Sequence, residues 1–118
     1  MTPFEIWVKK EVDLMRAWKT KKDAYTVNAF ADSKLVAFAK DAMLEKLTKA
    51  REKGRHGWWD PEVCTVEDLK VALFDQFYGE FDMVDIMNFA AMIYVREIAD
   101  REETKTPPKP AAPPTERG

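Results

Sequence analysis

Apolar residues recur along the first 95 positions with mainly helical spacing, and the polar residues between them mark where helices begin and end. Phe4, Trp7, Val8, Leu14, Met15 and Trp18 fall three or four apart, with Lys9, Lys10, Asp13, Arg16 and Lys19 on the remaining faces. Thr2 is a capping residue, Pro3 suits the first helical position, and Glu5 stands where the reciprocal partner of a capping box belongs. The pattern predicts a first helix from Pro3 to about Thr20. Lys21 to Ala31 shows no strong period, so its structure is left open.

Leu35, Val36, Phe38, Ala39, Ala42, Met43, Leu47 and Ala50 form a broad apolar face, predicting a second helix capped by Asp32 or Ser33. Lys49, Arg51 and Lys53 complement the negative end of its dipole, and Gly54 stops it. Thr65 with Asp68 repeats the capping-box pattern for a short third helix through Leu69, Ala72, Leu73 and Phe77, ended by Gly79. Asp82, with Asp85 three residues on, caps a last helix whose run from Val84 to Val95 is apolar on nearly every side. Such a helix is either central to a bundle or at a subunit interface, and the second arrangement makes the protein a homo-oligomer such as a dimer. The fold expected is all-α: a compact bundle of about four helices with a Trp-rich central loop.

Composition shifts abruptly at Thr104, where Pro107, Pro108, Pro110, Pro113 and Pro114 replace the apolar periodicity. Such a stretch cannot bury a core, so the expected organisation is one helical domain over 1–103 and a disordered Pro-rich tail over 104–118. The tail reads either as a solubilising segment or as a Pro motif for an aromatic groove on a partner. No apolar run reaches the roughly 18–20 residues that span a bilayer, and Met1 to Lys10 reads as amphipathic rather than as an export signal. A single Cys allows neither an internal disulfide nor a cysteine metal cage, which suits a reducing cytoplasm. The net charge of −2, with acids and bases interspersed, argues against non-specific nucleic-acid binding.

Candidate chemistry concentrates in Gly54-Arg55-His56-Gly57-Trp58-Trp59-Asp60-Pro61-Glu62-Val63-Cys64, which holds two of the four Trp, the only His and the only Cys. Glycines allow close backbone approach, Arg55 offers a planar fork for phosphate or carboxylate, and Trp58 or Trp59 offers a stacking face for a base. With His56, Asp60 and Asn88, these residues are the ingredients of a nucleotide-like pocket. A structural reading uses the same residues: Trp58 or Trp59 plugs the core, and Arg55 and Asp60 tie the loop by an ion pair and backbone hydrogen bonds. Asn88 interrupts an otherwise apolar helix and needs a partner, either the backbone of the Trp-rich loop or a ligand. Nothing lowers the Cys64 thiol pKa in the sequence pattern, so Cys64 reads as a small hydrophobe and no catalytic residue is assigned. Glu67, Asp68, Asp82 and Asp85 are acidic residues at two helix starts, where the dipole favours them; they also make an alternative Mg²⁺ ligand set.

The segment from Lys49 to Cys64, followed by Glu67-Asp68-Leu69 and by Asp82-Met83-Val84-Asp85-Ile86-Met87-Asn88-Phe89-Ala90-Ala91-Met92, resembles the C-terminal module of small early-region proteins of tailed phages. The resemblance covers about residues 47–96; at Tyr78 to Met83 the usual Lys-Gly-Asp-Pro turn is replaced and its preceding His is absent. It implies a phage-encoded accessory protein of the host-cell cytoplasm, acting in host takeover or counter-defence without catalysis. Its partner is then a host protein or a phosphorylated, nucleotide-like small molecule. The chain is also similar, more faintly, to MazG-like all-helical nucleotide pyrophosphohydrolases, which implies as the alternative a Mg²⁺-dependent nucleoside triphosphate pyrophosphohydrolase using Glu67, Asp68, Asp82 and Asp85. Val71 and Ala72 stand where that family's further carboxylates belong, which favours binding without cleavage.

Overall fold

The computed structural model describes residues 1–101, and the expected Pro-rich tail lies outside the described residues. Four helices are present: α1 (Pro3–Trp18), α2 (Ala24–Glu52), α3 (Val66–Tyr78) and α4 (Met83–Ala99). The fold is all-α, with no strand among the described residues. None of these helices is long and apolar enough to cross a membrane.

The caps explain most of the boundaries. Thr2 and Glu5 close a complete capping box on α1, as Thr65 and Asp68 do on α3. Asp82 caps α4 by accepting from the backbone N–H groups of Val84 and Asp85, each at 3.0 Å. The end of α2 is a Schellman motif: the Gly54 N–H donates to the Arg51 carbonyl and the Arg55 N–H to the Ala50 carbonyl, both at 2.9 Å. Gly54 adopts φ +85°, a conformation open to glycine at little cost.

One boundary differs from the expectation. α2 begins at Ala24, capped by Asp23, whose carboxylate accepts from both the backbone N–H and the hydroxyl of Thr26 at 2.8 Å. Asp32 and Ser33 therefore lie inside the helix and are exposed. The unpatterned stretch Lys21 to Ala31 is mostly its first two turns. Its periodicity is blurred because α2 serves two partners on different faces. Its N-terminal half meets α1, where Phe38 packs edge-on against Trp7 at 4.6 Å, Phe30 packs against Trp18 at 5.1 Å, and Lys34 pairs with Glu11. Its C-terminal half meets α4 through Met43 and Lys46.

The helices pack in the spatial order α1, α2, α4, α3, so α1 touches only α2. Leu69 is the one buried large apolar side chain among the described residues. α4 has two partners rather than a complete ring of them: it packs on α2 and α3 and leaves Met83, Tyr94, Val95 and Ile98 exposed. The apolar circumference expected of a central or interface helix thus divides into one covered face and one open face.

Candidate ligand-binding site

The loop between α2 and α3 is held in place by a side chain on α4. Arg96, only 2% exposed, donates from Nη1 to the carbonyls of Trp58 and Cys64, each at 2.7 Å. Its Nε and Nη2 both lie 3.1 Å from Oδ2 of Asp100. Inside the loop, Asp60 accepts from the Glu62 N–H at 2.9 Å, and its carbonyl accepts from the N–H groups of Val63 and Cys64. Gly57 sits at φ +89°, and a Cβ there would meet Val63 Cγ1 at 2.8 Å, so both conformation and space require glycine.

This anchoring shapes a cavity of about 490 Å³ between the loop, the C-terminal half of α2 and the inner face of α4. Arg55, His56, Trp58, Trp59 and Asn88 all line it, so five of the six candidate ligand-binding residues come together. Asp60 does not line it and serves the turn instead. Trp58 is half-buried whereas Trp59 is 64% exposed, so of the two only Trp58 is placed to pack inward as the structural reading requires. The Arg55–Asp60 ion pair of the structural reading is absent among the described residues.

Asn88 has a different partner from the loop backbone expected of it. Its Nδ2 lies 3.4 Å from the Met43 carbonyl on α2, while its Oδ1 is buried and accepts from no protein group. The clamp on the loop is Arg96, a residue the sequence analysis does not single out. A signal was present: Asn88, Met92 and Arg96 are spaced four apart and therefore share one face of α4. Arg51, Lys46 and Gln76 also line the cavity without having been singled out.

At one side of the cavity, Lys46 Nζ lies 2.9 Å from Asp82 and 3.4 Å from Asp85. The hydrogen bond to Asp82, followed by the charge of Asp85, pushes Lys46 above its ordinary 10.5, and the same bond leads the causes that hold Asp82 below 3.8. Glu67 and Asp68 do not join this group: Asp68 is engaged by Thr65, and no three His, Cys, Asp or Glu side chains among the described residues converge to hold a metal. Burial, with the charge of Asp68 second, raises the Cys64 thiol above 9.0, the opposite of what activates a nucleophile.

The signs of these shifts define an acid transition. A lowered carboxylate contributes stability that is complete above its unfolded value and is lost as pH falls through its folded one; a raised lysine contributes stability that persists below 10.5 and is lost as pH rises further. The melting temperature is therefore expected to be flat near neutrality and to fall as pH drops below 3.8, with Asp23 and Asp68 acting in the same direction. Asp82→Asn keeps a good cap and removes the charge. Thermal melts from pH 7 to 3 should show a shallower acid decline in that variant, and equal slopes would exclude the ion pair as a contributor.

Compared with protein-family models, curated proteins and solved structures, the chain matches none. The site therefore has to be read from its own chemistry.

Proposed function

We propose that this protein binds, without chemically altering, a phosphorylated small molecule of nucleotide-like shape, in an accessory role of the kind the phage resemblance suggests. The observation that carries the reading is the cavity itself: about 490 Å³, within the range of small-molecule sites, with cations at its rim and aromatic and apolar side chains on its walls. Arg51 and Arg55 have no carboxylate partner among the described residues and are exposed, so their guanidinium groups are available to an anion. Trp58 and Trp59 offer faces against which a planar ring can stack. A hydrolase reading is less well supported, since Asp82 and Asp85 are both engaged by Lys46 and no three acidic, His or Cys side chains among the described residues converge to hold a metal.

The test is calorimetric titration with the common nucleoside 5′-mono-, di- and triphosphates, beside native mass spectrometry of the gently purified protein. A member of the set should bind, and Arg55→Ala should weaken it roughly 10- to 100-fold, as expected for loss of a charge-assisted hydrogen bond worth about 1.5–3 kcal/mol. Unchanged affinity in a folded Arg55→Ala, Trp58→Ala double variant would overturn the reading. Pyrophosphate release with Mg²⁺ that disappears in Asp85→Ala would replace it with hydrolysis.

The open face of α4 supports a second partner, another copy of this chain. At 100° per residue, Met83, Met87, Ala90, Tyr94, Val95 and Ile98 fall in one sector of the helix that holds no charged side chain. A two-fold contact sets a patch against itself, so an uncharged patch meets no like-charge repulsion there. With so little of the isolated chain fully buried, the copy made alongside it is the partner present whenever it folds.

A further inference from the structure

We infer that the ligand presents an N–H donor of its base, exocyclic amino or ring imino, to Asn88, and therefore that the site selects a nucleobase by its hydrogen-bonding edge; this rests on the nucleotide-like reading of the cavity. Asn88 is 4% exposed, on the face of α4 toward α2, and lines the cavity. Its amide orientation follows from its neighbour: the Met43 carbonyl is an acceptor, so Nδ2 must face it, because the flipped amide would set two acceptors against each other. Oδ1 is consequently fixed as an acceptor, and it is the one buried side-chain polar atom without a partner among the described residues.

No protein donor bonds Oδ1. Lys46 is committed to Asp82 and Asp85, Arg96 is committed to the loop carbonyls and Asp100, and Leu69, Phe89 and Met92 nearby on the cavity wall are apolar. A buried acceptor without a partner is unfavourable, so a ligand that brings a donor gains an interaction that an isosteric ligand without one forfeits. The phosphate then belongs at Arg51 and Arg55, the ring beside the tryptophans, and the amino or imino edge of the base at Asn88. Arg55 supplies affinity for any anionic ligand of this shape, and Asn88 sorts among bases.

The experiment compares each nucleoside 5′-phosphate with an analogue lacking the donor. Adenosine phosphate is paired with purine riboside phosphate, cytidine phosphate with 2-pyrimidinone riboside phosphate, uridine phosphate with its N3-methyl form, and guanosine phosphate with both its N1-methyl form and inosine phosphate, which remove its ring and amino donors in turn. In the wild-type protein the preferred base should lose about tenfold or more in affinity when its donor is removed. Asn88→Leu, checked for folding by circular dichroism, should erase that difference while Arg55→Ala leaves it in place. Equal affinities across every pair, with Arg55→Ala still weakening all members, would overturn the Asn88 inference and leave anion binding standing. Absence of binding by every nucleotide would overturn both.

Discussion

Arg96→Ala is expected to destabilise the protein by about 3–5 kcal/mol, the range for stripping the partner from a buried, multiply bonded group. The guanidinium is 2% exposed and joins α4 to two carbonyls of the Trp-rich loop, at Trp58 and Cys64. Its removal leaves those carbonyls facing an apolar void and breaks the link between α4 and the cavity wall. Arg96→Met keeps much of the volume and isolates the lost hydrogen bonds, so it should recover only the packing share. Arg96→Lys should also fall short, because an ammonium on a single stem cannot reproduce the fork that serves both carbonyls and Asp100. Asp100→Asn should cost under about 1 kcal/mol, since that carboxylate is well exposed. Urea unfolding of the four variants separates these contributions. A loss below about 1 kcal/mol in Arg96→Ala would mean that the loop is held chiefly by its own turns, and the cavity would then be indifferent to α4.

The reading from sequence succeeded where the signal was local. Capping boxes at Thr2 and Thr65, the Gly54 stop and the Asp82 cap each depend on two to five neighbouring residues, and each is present in the structure. It failed where tertiary context decides. The cap of α2 was placed at Asp32 or Ser33 rather than at Asp23, because the helix turns one face to α1 and another to α4 and so lacks a single apolar stripe in its first turns. The gathering of Arg55, His56, Trp58 and Trp59 around one cavity was legible from their crowding into one loop, and Asn88 from its polarity in an apolar helix. The role of Arg96 was signalled only by its place on the Asn88 face, which does not single it out, because an arginine near a helix C-terminus is also accounted for by the dipole. Only the three-dimensional path of the loop turns Arg96 toward the Trp58 and Cys64 carbonyls and turns Asn88 toward Met43.

Tyr94→Lys combined with Ile98→Lys is expected to convert the proposed dimer into monomers and, with it, to lower the melting temperature more than the exposure of either side chain alone would suggest. Tyr94 is 68% exposed and Ile98 45%, so in an isolated chain a charge at either position would be nearly neutral. The same charges buried at a two-fold contact would face their own copies across the axis or lose their water, at a cost of several kcal/mol per ion. A dimer adds stability through mass action, so wild-type melting should rise with protein concentration and that dependence should vanish in the double variant. Sedimentation equilibrium provides the direct reading: twice the chain mass for wild type, and the chain mass for the variant. The cavity lies on the α2 side of α4 and the substituted residues on the opposite side, so nucleotide affinity should be retained in the monomer. A wild-type protein that sediments as a monomer at micromolar concentrations, with melting independent of concentration, would remove the second copy as the occupant of this face.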